Sequence, residues 1–128
     1  MIYVAGSGPS SKGHRFAHVV TKKKVHWDFE RIVLPRVHWL TEQIQDKAVV
    51  WPDYPNKDHW LDYYERFKRG HKWKPSNGLQ AIFVAMDLYS PTEITLIGFD
   101  NILNQARPTL HDWPAELTCI ESLVKISD

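Results

Sequence analysis

The stretch from Lys74 to Asp100, KPSNGLQAIFVAMDLYSPTEITLIGFD, constrains the fold more than any other part of the chain. Pro75 disfavours helix at Lys74, Ser76 and Asn77 are good N-cap residues, and Gly78 lacks a Cβ. From Leu79 to Leu88 apolar side chains cover nearly every face, with Leu79, Ile82, Phe83 and Met86 at helical spacing. A helix that is apolar all round is a buried one. Ser90-Pro91 breaks it, and the β-branched run Ile94-Thr95-Leu96-Ile97 stops at Gly98. That pattern predicts a central strand of a parallel sheet. Such a helix would offer unpaired N–H groups and a partial positive charge to an anion at its N-terminus.

The chain opens with a second unit of the same kind. Ile2-Tyr3-Val4-Ala5 predicts a short strand, and it runs into Gly6-Ser7-Gly8-Pro9-Ser10-Ser11. Glycines let backbone approach a ligand, and small hydroxyls donate to it. The full spacing of a dinucleotide fingerprint is missing, and Pro9 would disturb one. From the residues alone, this loop is either a phosphate-contacting turn or a plain tight turn.

Between these units the pattern is less decisive. Phe16 to Val20 reads as a short helix or strand, and Val25 to Phe29 as a second strand. Pro35 to Gln45 predicts a helix through Val37, Leu40 and Ile44. Ala48-Val49-Val50-Trp51 reads as a strand ended by Pro52. A further helix is expected from Pro55 to about Lys68, ending at Gly70. Its Trp60, Tyr63, Tyr64 and Phe67 form an aromatic stripe, read either as core packing or as a sugar-stacking surface. Lys68 to Lys74 is the densest basic stretch, and Lys74 lies nearest the phosphate-facing loop. Asp100, at the edge of the Ile94 strand, is placed either to contact a sugar or to cap a turn.

Composition narrows the classes of function. At 128 residues, the chain is expected to form one domain spanning 1–128. A formal net charge of +1 gives no bulk electrostatic case for nucleic acid. Cys119 is the lone cysteine, so no internal disulfide forms and a reducing, cytoplasmic setting is expected. No apolar run approaches the ~20 residues that span a bilayer, and no signal peptide is visible. No carboxylate pair or His/Cys spacing suggests a metal, and no cofactor is expected.

The last segment supplies a candidate base. In Leu110-His111-Asp112-Trp113-Pro114-Ala115-Glu116, Pro114 suits a first helical turn and Asp112 is a plausible cap. Leu117, Ile120, Leu123 and Val124 continue one apolar face. His111 therefore sits in the loop just before a helix, where an imidazole suits removal of a hydroxyl proton.

Three pieces now carry a resemblance. Pro75-Ser76-Asn77-Gly78 followed by a helix and Glu93 to Phe99 resembles the short sialylmotif of sialyltransferases, with Asn77 where the family has Thr or Ser. Ala5-Gly6-Ser7-Gly8-Pro9-Ser10 is similar to the opening of the bacterial enzymes, with Ser7 in place of their asparagine. His111 and Glu116 make the His-x-x-x-x-Glu spacing of the very short sialylmotif. The resemblance implies an α/β, Rossmann-like, mostly parallel sheet with helices on both faces, a variant of the GT-A arrangement. It implies metal-independent transfer of sialic acid, or a related keto-sugar acid, from a CMP-activated donor to an acceptor hydroxyl. His111 would be the general base. Gly6, Ser7, Gly8, Ser10, Lys74, Ser76, Asn77, Gly78, Asp100 and Glu116 would form the donor site. The partners implied are the nucleotide-sugar donor and a glycan or other hydroxyl acceptor, with a homo-oligomer as one way to complete so short a chain. Two other functions stay open: a non-catalytic nucleotide- or sugar-binding domain of the same fold, and an interaction module built on the aromatic helix.

Overall fold

The computed structural model describes residues 2–6, 15–21, 28–34, 48–50, 56–70, 73–104 and 110–127; for the strands within 15–50 it describes the backbone alone. Among the described residues six strands form one sheet: β1 (Ile2–Ala5), β2 (Arg15–Thr21), β3 (Asp28–Leu34), β4 (Ala48–Val50), β5 (Glu93–Ile97) and β6 (Lys125–Ser127). The strand order is β4-β3-β2-β1-β5-β6, and every neighbouring pair is parallel. In register, Tyr3 lies beside Val19 on one flank and Thr95 on the other. β1 is thus central. β2, β3 and β4 lie on one side of it, and β5 and β6 lie on the other. The strand order reverses between β1 and β5, which makes a crevice at their carboxyl ends.

Four helices accompany the sheet among the described residues: α1 (Lys57–Glu65), α2 (Asn77–Tyr89), α3 (Asp100–Leu103) and α4 (Trp113–Leu123). α2 is the buried helix expected, with Leu79, Ala81, Ile82, Phe83, Val84 and Ala85 all at 0 % exposure. It ends where Ser90 adopts the left-handed conformation at φ 44° and returns its N–H to Met86 O. β5 follows with Ile94, Thr95 and Leu96 buried. The core joins α2 to Val4, Ile94, Leu96, Phe99, Ile102, Trp113, Cys119 and Ile120.

The aromatic stripe of α1 faces this core. Tyr64 is buried, and Trp60, Tyr63 and Phe67 pack partly buried against the cluster. The Trp60 ring stacks on Phe83 at 5.3 Å and 7°, while its indole N–H donates to Asp87 Oδ1 at 2.8 Å. Ser122 spends its hydroxyl proton on Cys119 O, so Tyr63 is the donor in the 2.6 Å contact between Tyr63 Oη and Ser122 Oγ. α1 is thereby fastened to both α2 and α4.

Several expectations shift in detail. Phe16 to Val20 lies in a strand. β3 begins at Asp28 and continues to Leu34, beyond the Val25 to Phe29 strand expected. α1 is shorter than the helix expected from Pro55 to Lys68, because Arg66 to Lys68 fold back in turns onto Tyr63 and Tyr64 carbonyls. Val124 does not extend α4; it is extended backbone and leads into β6. The helix expected over Pro35 to Gln45 lies outside the described residues.

Candidate active site

The crevice between β1 and β5 is closed at its base by glycines. Gly6 N–H donates to Ile97 O at 2.7 Å, which ties the turn after β1 to the end of β5. A Cβ on Gly6 would lie 2.6 Å from the Gly98 carbonyl oxygen, and one on Gly78 would lie 2.7 Å from Phe99 Cε2. The Phe99 ring also reaches to 3.4 Å of the Gly6 position. Gly98 holds φ at 76°, where side chains are strained, and this turns Phe99 back into the crevice. One buried ring therefore packs against both loops. Gly6 and Gly78 are required for that packing, whatever ligand the loops meet.

The N-terminus of α2 is partly sealed. Ser76 is the N-cap, and its Oγ accepts from Leu79 N at 3.2 Å. Its own N–H donates to Glu116 Oε2 at 2.9 Å, and its hydroxyl donates to Glu116 Oε1 in a short hydrogen bond. The amides of Asn77 and Gly78 have no partner among the described residues. Both residues are half-buried, and α2 has no acidic residue in its first turn. The open positive end of this helix is thus carried by the N–H groups of Asn77 and Gly78, since Ser76 N–H is occupied.

Glu116 takes a different place from the donor contact expected of it. It is 0 % exposed, and both of its oxygens are used by Ser76. Burial raises its pKa to about 7, against the lowering effect of the two hydrogen bonds from Ser76, and Asp112 nearby adds to the rise. Two more buried groups share this environment. Burial and the charge of Glu116 push the Cys119 thiol up to about 12. Burial, then Glu116, raises the Tyr64 phenol, whose oxygen has no hydrogen-bond partner among the described residues.

The N-terminus of α4 brings the imidazole to α2. Asp112 is the N-cap as expected, accepting from Ala115 N at 3.2 Å, with Pro114 in the first turn. His111 precedes it and makes a 2.7 Å contact from Nδ1 to the carbonyl oxygen of Lys74. A carbonyl only accepts, so Nδ1 carries the proton. In the neutral ring Nε2 then holds the lone pair, which is the state a general base needs. The Trp113 ring lies 5.2 Å from the imidazole and flanks it. Asp112 is held below the usual carboxylate range, chiefly by the Arg69 side chain, with burial opposing.

The structure therefore gathers Gly6, Ser76, Asn77, Gly78 and Glu116 around the Phe99 crevice and ties His111 to Lys74 beside it. Lys74 is exposed, and its position is fixed by its carbonyl rather than its charge. Asp100 is the first residue of α3, whose N-cap position is Phe99. Ser7, Gly8 and Ser10 lie outside the described residues. Sequence reasoning missed Arg69 as the partner of Asp112 and Phe99 as the ring between the loops. The requirement for glycine at both 6 and 78 was the available signal for a bulky neighbour.

The chain thus has a parallel α/β sheet with a topological switch point between β1 and β5 and an open helix end beside it, which is where open sheets of this class bind their ligands. No family model and no curated protein matches the sequence. Solved structures do match. The sialyltransferase CstII from Campylobacter jejuni in complex with the substrate analogue cytidine-5'-monophosphate aligns with a TM-score of 0.54 at 16% identity, over 98% of this chain and 77% of that one. The same enzyme with CMP-3FNeuAc gives 0.53 at 16% identity, over 98% and 78%. A CST-II complex with trisaccharide acceptor and CMP gives 0.52 at 14% identity, over 98% and 79%. The fold is sialyltransferase-like.

Proposed function

We propose that this chain is a glycosyltransferase of the sialyltransferase type, a GT-A variant, that moves sialic acid or a related keto-sugar acid from a CMP-activated donor to an acceptor hydroxyl. The observation that carries the reading is the 2.7 Å bond from His111 Nδ1 to Lys74 O, which fixes a base-competent imidazole beside the open end of α2. The fold shared with CMP-bound enzymes supports it.

In this reading the N–H groups of Asn77 and Gly78 and the α2 dipole hold the CMP phosphate, and stabilise it as it leaves the anomeric carbon. Gly6, Ser7, Gly8 and Ser10 line the nucleotide. Lys74 screens the phosphate charge, and Asp100 meets the sugar. Ser76 and Glu116 act from behind, by setting the geometry of the α2 turn. His111 Nε2 accepts the proton of the attacking hydroxyl. The reaction needs no metal, because backbone donors and Lys74 carry the leaving-group charge.

The test is donor cleavage without added metal. CMP-sialic acid is incubated with the purified protein, and free CMP is followed by NMR beside a panel of uridine- and guanosine-diphosphate sugars. Release from the cytidine donor alone supports the reading. Release from none of them contradicts it.

A further inference from the structure

Asp112 is a buried carboxylate whose hydrogen bonding is saturated. Its Oδ2 accepts from Arg69 N at 3.2 Å and from Arg69 Nε at 2.9 Å. Its Oδ1 accepts from Arg69 Nη2 at 2.8 Å and from Ala115 N at 3.2 Å. The planar guanidinium matches the carboxylate as a fork, which fixes angle as well as distance. Asp112 is 0 % exposed, while the Arg69 side chain is 63 % exposed. The carboxylate therefore stays where it is because Arg69 holds it there.

The neighbouring residues turn this pair into a frame. One rung is Arg69 to Asp112, and the other is Lys74 O to His111 Nδ1. Both rungs join the segment 69–74 to the adjacent residues 111 and 112. Trp73 N–H returning to Gly70 O at 3.3 Å shortens the segment between the rungs. With the Arg69 side chain gone, Asp112 would keep only the backbone N–H groups of residues 69 and 115 in a buried position, and lose the charge that balances its own. Its charge would then draw the residue toward water, and the peptide carrying His111 would turn with it.

We propose that Arg69 is a positioning residue for His111: through Asp112 it fixes the imidazole tautomer and direction, without touching substrate. The effect on turnover rests on the glycosyl-transfer reading; the effect on the imidazole does not.

The experiment uses Arg69→Ala and Arg69→Lys, the second keeping the charge but losing the fork. Imidazole 15N shifts of His111 are read beside CMP release from CMP-sialic acid. We expect wild type to show one tautomer with the proton on Nδ1, and both variants to show a mixture. We expect the kcat for CMP release to fall by about 10- to 100-fold, as misplaced catalytic groups do, with donor KM essentially unchanged. Added guanidinium should restore part of the Arg69→Ala loss, because the side-chain site is open to solvent. A single Nδ1–H tautomer in both variants would overturn the proposal, and so would wild-type kcat with raised KM. Should wild type release CMP from no donor, the transfer reading falls alone, and the tautomer comparison still decides the role of Arg69. If Arg69→Ala does not fold, Arg69→Lys gives the same two readouts.

Discussion

The N-termini of α2 and α4 are built from similar parts to opposite ends. α2 is capped by an uncharged hydroxyl, has no acidic residue in its first turn, and leaves the amides of Asn77 and Gly78 without partners among the described residues. α4 is capped by a carboxylate, has Pro114 where an N–H would be, and carries Glu116 in its first turn. Its positive end is neutralised from within, and Arg69 balances the Asp112 charge from outside. An anion would find donors at α2 and a carboxylate at α4. The difference teaches that a helix start can serve as a receptor or as a joint, and that the charge on the cap decides which. In the proposed transfer reaction the joint would hold the base, and the receptor would face the phosphate.

Breaking the α4 side alone should have the largest effect. His111→Ala is expected to lower donor turnover by about 10²–10⁴-fold, the range for loss of a general base, with CMP affinity unchanged by calorimetry. A parallel fall in affinity would mean that the two helix ends are not separate in function.

Glu116 links the two ends, and its ionisation sharpens the contrast. Its pKa is about 7 in the folded chain against an ordinary 4.5, so the folded state binds this proton more tightly. Its contribution to stability is therefore fully present below pH 4.5, declines between 4.5 and about 7, and is lost above. The span corresponds to on the order of 3 kcal/mol. Urea melts at pH 5 and pH 8 should show the wild type losing more stability than Glu116→Gln by about that amount. Equal losses would show that the buried carboxylate does not titrate in this window.

The receptor side can be broken at Gly78. An added Cβ would lie 2.7 Å from the Phe99 ring, so Gly78→Ala should destabilise by about 1–3 kcal/mol through overpacking and weaken CMP binding. Phe99→Leu should relieve part of the Gly78→Ala cost. It should not relieve Gly6→Ala, which meets the backbone oxygen of Gly98 at 2.6 Å. Double-mutant cycles by thermal melting check both statements. The smallest change is expected at Tyr63→Phe, which removes only the bond to Ser122. It should cost about 0.5–1.5 kcal/mol and leave both helix ends and CMP binding as they were.

What the sequence disclosed follows from the range of each interaction. Ser76 as cap, α2 as a buried helix, β5 ending at Gly98, and Asp112 with Pro114 opening α4 all depend on near neighbours. Their patterns are complete within a few residues. β3 was harder, because Asp28, Glu30 and Arg31 dilute the apolar run that ends in Ile32-Val33-Leu34. β6 is three residues long and directly follows a helix with the same apolar spacing, so periodicity alone merges the two. The site depended on contacts that local pattern does not encode. Ser76 and Glu116 are 40 residues apart, and Arg69 and Asp112 are 43 apart. The family resemblance implied a donor-site role for Glu116; in the structure it is buried and bonded to Ser76, the cap of α2. The Trp60, Tyr63 and Phe67 stripe had two readings because aromatic spacing is the same for a core as for a sugar platform. Stacking on Phe83 and the bond to Asp87 decide for the core at Trp60.

The most direct measurement is a titration of the 15N-labelled protein with CMP, followed by amide chemical shifts. If the N-terminus of α2 receives the phosphate, the amides of Asn77 and Gly78 will shift and saturate together. That of Ser76, bonded to Glu116, will move least of the three. Saturable binding that leaves the Asn77 and Gly78 amides unmoved would place the phosphate elsewhere and contradict the assignment of α2 as the receptor.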